Sequence, residues 1–264
     1  MTTTLATDTA PLTGDALRSR YDEITRRIGE AAARSGRKAS QVVLVAVSKN
    51  ASMEQVRELV QAGHLHFGEN RVQQLQQRVA QVEEFQARRR ELTGTAPQPV
   101  RWHMIGSLQR NKVKKAIECA RLIHSVDSMR LAEDIQNAAS RREEPVDILI
   151  EVNISGEASK HGLHPPAVRH VIEQIDTMVN VRPRGLMCMA PNTQDMAVVR
   201  DVFERCRELF QDIRGAGVGG DAFDLLSMGM SNDFEVAVEC GSNMVRIGGG
   251  LFGAPAVQDE PAEA

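Results

Sequence analysis

The chain contains no run of about 18 apolar residues, the length a helix needs to cross a bilayer. Its first 14 residues, rich in Thr and Ala, lack both the basic start and the apolar middle of a secretion signal. Neither a membrane span nor export is expected, and the predicted compartment is the cytoplasm. Cysteine is sparse. Cys119, Cys188, Cys206 and Cys240 form no CxxC pair, so they read as reduced, mostly buried thiols instead of a metal or disulfide framework. A broad basic field is also missing, because the formal net charge is −3 and charges of both signs are interspersed. Nucleic acid is therefore not an expected partner.

What the chain has is enough apolar material for one substantial core: 42% hydrophobic and 25% charged residues in a length of 264. From Asp15, the residues Leu17, Tyr21, Ile24, Ile28 and Ala32 recur at helical spacing until Gly36. The apolar, mainly β-branched run Val42 to Val47 then reads as a parallel strand buried on both faces. Seven more strand candidates follow: His64 to Gly68, Val100 to Ile105, Leu122 to Val126, Ile148 to Asn153, Gly185 to Met189, Leu225 to Met228 and Met244 to Ile247. Amphipathic helices are expected between them over Met53 to Ala62, Asn70 to Arg90, Asn111 to Ala120, Ser128 to Arg142, Pro166 to Asn180, Asp195 to Arg214 and Asp233 to Cys240. Eight alternations at this length favour a single TIM (β/α)8 barrel over an open, doubly wound sheet. The barrel is expected over 15–254, between a disordered N-terminus (1–14) and a disordered acidic tail (255–264).

In such a barrel, reactive groups gather where strands end, so the polar residue closing each apolar run matters most. Lys49 closes the first. There a lysine would be partly desolvated, which lowers an amine's pKa and makes it a nucleophile towards aldehydes. A solvated loop lysine is the plain alternative. After strands seven and eight stand Ser227, Met228, Gly229, Met230 and Ser231, and then Gly248, Gly249 and Gly250. Hydroxyls and bare backbone N–H groups at that place are what barrels use to cradle phosphate, although the same residues also make turns and caps. Arg246 lies within an apolar strand and needs an anionic or acceptor partner. Other features are weaker. Gly215, Gly217 and Gly220 have GxGxxG spacing but follow a helix; His161 and His164 lack a third metal ligand; Arg88 to Arg90 and Lys112, Lys114 and Lys115 read as wet helix surface.

Several runs together resemble the YggS/PROSC family of pyridoxal phosphate homeostasis proteins. They are Val45-Ala46-Val47-Ser48-Lys49, Phe67-Gly68-Glu69-Asn70, Trp102 to Gly106 with Gln109 to Val113, Val152 to Glu157, Arg184 to Met187, Leu226 to Ser231 and Met244 to Gly248. The resemblance spans residues 15 to 254 in order. It implies a fold-type III barrel like the N-terminal domain of alanine racemase, without a C-terminal β domain. It further implies pyridoxal 5'-phosphate held as an imine on Lys49. Ser227, Ser231, Gly248 and Gly249 would hold its phosphate, Arg246 would face the pyridine nitrogen, and Asn70 and His103 would line the pocket. The sequence departs from the family pattern at Asn50, where Thr is common, at Arg71, where Tyr is common, and at Gly249, which replaces a frequent Thr. The last change removes one phosphate hydroxyl.

Three functions compete. The favoured one is a monomeric carrier that is not an enzyme and passes the cofactor to apo-enzymes or keeps its aldehyde from free circulation. The second is a fold-type III racemase or decarboxylase of amino acids. The third is a cofactor-free aldolase acting through Lys49. Racemisation needs an acid or base on each face of the substrate carbon, and the one tyrosine, Tyr21, lies on the apolar stripe of the first helix, where it is expected to pack against the barrel.

Overall fold

The computed structural model describes residues 10–157 and 160–255. Its strands are β1 (Val43–Val47), β2 (His66–Glu69), β3 (Arg101–Met104), β4 (Leu122–Val126), β5 (Val146–Glu151), β6 (Val181–Met187), β7 (Leu225–Ser227) and β8 (Met244–Ile247). They close in sequence order into one barrel. Strand β1 pairs in parallel with both β2 and β8, which excludes the open sheet and establishes the expected TIM barrel. Helix α1 (Gly14–Arg34) precedes the barrel. Helices α2 (Met53–Gln61), α3 (Val72–Thr93), α4 (Val113–Cys119), α5 (Met129–Ala138), α6 (Pro165–Ile175), α7 (Met196–Gly215) and α8 (Phe234–Glu239) follow successive strands, and a single turn, α9 (Gly249–Phe252), follows β8.

Alternation along each strand divides the core in two. Leu44, Ala46, Phe67, Ile123, Ile148, Ile150, Leu186, Val245 and Ile247 face outward into the layer shared with the helices. Val45, Leu122, Leu149, Met187 and Met244 form a separate cluster inside the barrel. Helix α1 is fixed to α8 by a buried bidentate pair, with Arg27 Nε donating to Glu235 Oε1 at 3.1 Å and Nη2 to Oε2 at 2.8 Å.

Three sequence expectations need correction. Strand β6 begins at Val181 and contains Pro183, although the expected strand starts only at Gly185. Proline cannot donate to a ladder, and the β5–β6 register shifts between Ile148 and Leu149 to absorb it. Gly185 follows at φ 148°, where an added Cβ would stand 1.7 Å from the Leu225 carbonyl oxygen, so only glycine fits. Secondly, residues 10–14 are not free. Pro11 bridges to Gly253, the Leu12 N–H donates to the Phe252 carbonyl, and the Gln55 side chain donates to both the Leu12 and Phe252 carbonyls. Gln55 holds this seam because it also closes a capping box with Ser52 at the start of α2. The rest of the expected disordered ends, 1–9 and 256–264, lies outside the described residues. Thirdly, Gly249 and Gly250 open helix α9, where the sequence suggests only a glycine turn.

Candidate cofactor site

Lys49 sits on the turn just past β1, and the groups behind it are locked. The Ser48 hydroxyl donates to Glu69 Oε1 at 2.7 Å, and the Ala51 N–H closes the turn on the Ser48 carbonyl at 2.9 Å. Arg78 of α3 donates to the Ala51 carbonyl and places its Nε 3.7 Å from Glu69 Oε1. Lys49 itself is exposed, not partly buried as expected, because the strand ends two residues before it. Glu69 is fully buried beside this turn. Burial raises its carboxyl above the usual range, against the pull of the Ser48 hydroxyl, Arg78 and Lys49. Its Oε2 and the neighbouring Asn70 Oδ1 are the two buried side-chain atoms without a hydrogen-bond partner among the described residues.

The end of β8 reaches the same rim because Ala46 pairs with Ile247. A Cβ added to Gly248 would stand 3.3 Å from both Cβ and the carbonyl oxygen of Val47, whereas one added to Gly249 would enter open space. The Gly249 N–H has no acceptor among the described residues. Ser231 joins these glycines from the turn after β7, its hydroxyl accepting from the Gly250 N–H at 3.2 Å. Asp233 fixes that turn by accepting from the Met230 N–H at 2.5 Å. Ser231, Gly248 and Gly249 are thus brought together beside the strand that carries Lys49.

Arg246 points into the barrel and is 5% exposed. Nη1 donates to the Ser227 hydroxyl at 2.6 Å and Nη2 to the Cys188 carbonyl at 3.1 Å. No carboxylate lies within 4.0 Å of it among the described residues. Ser227, expected at the phosphate, is therefore engaged elsewhere, because β7 turns its hydroxyl inward to Arg246 and to His124 Nδ1 at 3.2 Å. His103, expected to line the pocket, has both ring nitrogens occupied. Nδ1 lies 2.9 Å from His124 Nε2, and Nε2 lies 3.0 Å from His66 Nδ1. Burial holds the His103 imidazole down at about 3 and His66 at about 4, and it pushes His124 well below the ordinary 6.5. His66 and His124 escape sequence reading, although a polar residue at an inward position of an apolar strand is the signal that marks them. A cavity of about 660 Å³, lined by Arg37, Arg207, Arg214 and Asn243, lies outside the barrel and touches none of these residues.

With this geometry in place, the comparisons are specific. The family described as alanine racemase, N-terminal domain, matches residues 16–256. A protein of Aquifex aeolicus named pyridoxal phosphate homeostasis protein is 37% identical over 235 residues, 89% of this chain and 96% of the relative. The chain belongs to this family. PipY of Synechococcus elongatus, solved with PLP bound, is similar to this chain at 33% identity and a TM-score of 0.72, covering 87% of this chain and all of PipY. An alanine racemase of Clostridium difficile shares the fold alone, at 14% identity and a TM-score of 0.68, over 96% of this chain and 62% of the racemase.

Proposed function

We propose that this protein holds pyridoxal 5'-phosphate on Lys49, acting in cofactor homeostasis as the names of its relatives state, and delivers the cofactor to apo-enzymes without turning over substrates itself. The observation that carries this reading is the meeting of an exposed lysine, a hydroxyl-and-glycine cradle and a buried guanidinium without a carboxylate partner at one end of the barrel. When bound, pyridoxal phosphate supplies an aldehyde that captures amines, a phosphate dianion and a pyridine ring.

The residues present fit that group. Lys49 supplies the amine, on a turn that Ser48, Glu69 and Arg78 keep rigid. Ser231 and the N–H groups of Gly248 and Gly249 donate to the phosphate, and the open space at Gly249 admits it. Asn70 Oδ1, buried and unpartnered, faces a polar ligand group that the protein does not itself provide. Arg246 would face the ring nitrogen. Arginine stays protonated at any physiological pH and donates only, so it cannot favour a protonated pyridine, and the bound ring is a weak electron sink. That suits storage better than catalysis. Tyr21, the one tyrosine, binds His64 on the outer side of the barrel at 3.3 Å and offers no second acid or base to a bound amino acid.

The test is a titration with pyridoxal phosphate followed by its absorbance, and then mixing of the loaded protein with an apo-enzyme that needs the cofactor. A visible band lost in Lys49→Ala, with apo-enzyme activated faster than spontaneous cofactor release allows, is expected. A colourless protein, or activation no faster than release, would contradict the reading.

A further inference from the structure

A line of side chains crosses the barrel interior. It begins at Arg246 on β8 and passes through Ser227 on β7 (2.6 Å), His124 on β4 (3.2 Å) and His103 on β3 (2.9 Å) to His66 on β2 (3.0 Å). Each imidazole uses one nitrogen towards one neighbour and the other nitrogen towards the next. A neutral imidazole carries one donor and one acceptor, so the tautomers are interlocked, and the direction of one bond sets the others.

Arg246 fixes that direction. Its Nη1 can only donate, so the Ser227 oxygen accepts, and the buried Ser227 proton finds its acceptor, among the described residues, in His124 Nδ1. His124 then carries its proton on Nε2 and donates to His103 Nδ1. His103 in turn donates from Nε2 to His66 Nδ1, which leaves the His66 proton on Nε2 at the half-buried end. The reverse direction would give Arg101, whose Nη1 lies 3.4 Å from His66 Nε2, an acceptor. It would also leave the fully buried Ser227 hydroxyl without one among the described residues. Arg101 is exposed and has water, whereas Ser227 has none, so the direction set by Arg246 is favoured.

A carboxylate would orient a buried guanidinium too, but it would cancel its charge. Asp233 and Glu151 act on Arg246 only through space. We propose that His66, His103 and His124 are a one-directional chain of neutral Nε2–H tautomers, and that this chain positions Arg246 towards a bound ring while leaving it without a carboxylate in contact. The aim at the ring rests on the cofactor reading above. The direction of the chain does not. In this account His66, His103 and His124 are positioning residues.

The first measurement is ¹⁵N NMR of the histidine rings in the cofactor-free protein. All three should show a protonated Nε2 and a bare Nδ1, and an Nδ1–H tautomer at His103 or His124 would overturn the chain. The second is a double-mutant cycle read by pyridoxal phosphate affinity. His103→Leu should weaken binding about tenfold, and adding it to Arg246→Leu should cause no further loss. Losses that multiply would overturn the positioning role. Unchanged affinity in Arg246→Leu alone would instead sink the placement of Arg246 at the ring, whatever tautomers the NMR finds.

Discussion

Arg246 donates to the Ser227 hydroxyl inside the barrel at 2.6 Å, joining two strands whose ladder has one paired position, Ser227 with Met244. Removing that acceptor leaves a buried charged donor with only the Cys188 carbonyl. Ser227→Ala should therefore lower the free energy of unfolding by about 2 kcal/mol, measured by urea denaturation. A loss under about 0.5 kcal/mol, the level of an ordinary surface change, would show that the contact contributes little.

Buried histidines make stability depend on pH. His64 and His66 are held at about 4 and His103 at about 3, so between those values and 6.5 the unfolded chain binds protons that the folded chain refuses. Their stabilising effect is full at pH 7 and is lost as pH falls from about 6.5 towards 4. Glu69, Glu151 and Asp233, all raised by burial, work in the opposite sense, so the test compares variants. For His64 the shift corresponds to roughly 3 kcal/mol, and His64→Phe should lose less stability than the native chain between pH 7 and pH 4.5. Parallel losses would contradict the assignment.

Much of this architecture is legible in the sequence because parallel strands buried on both faces leave continuous apolar runs, and the residue closing each run marks the rim. Lys49, Ser231, Gly248 and Gly249 are singled out that way as candidates, and the structure places them past the ends of β1, β7 and β8. The contacts of Ser227 and His103 are not, because they depend on which inward residues of other strands lie level with them, a matter of register and strand tilt that local pattern does not carry. Strand β6 begins unseen for a local reason: Pro183 reads as a breaker until the bulge against β5 accommodates it. The seam of Pro11 and Leu12 with Phe252 and Gly253 joins residues about 240 apart, and nothing in the composition of residues 1–14 announces it.

Phosphate contacts should dominate affinity, since charge-assisted bonds to a dianion outweigh contacts with a small ring. Ser231→Asp or Gly248→Val should weaken pyridoxal phosphate binding sharply. The second change also forces a side chain against Val47. Unphosphorylated pyridoxal should bind poorly to the native protein, and calorimetry showing equal affinity for the two vitamers would refute the cradle.

Racemisation should be negligible. On the proposed reading Lys49 would serve one face of a bound amino acid, and Tyr21 is committed to His64 outside the barrel. Alanine incubated in deuterium oxide with the loaded protein should exchange its α-proton slowly, without inversion. Chiral analysis showing inversion at about 1 per second or faster, an ordinary enzymatic rate, would mean that a second base operates.

The central claim is that Lys49 holds the cofactor. The direct measurement is mass spectrometry of peptides from protein loaded with pyridoxal phosphate and reduced with borohydride. The account predicts the added phosphopyridoxyl mass on the peptide containing Lys49 and its loss in Lys49→Ala. A label confined to Lys112, Lys114, Lys115 or Lys160 would contradict it.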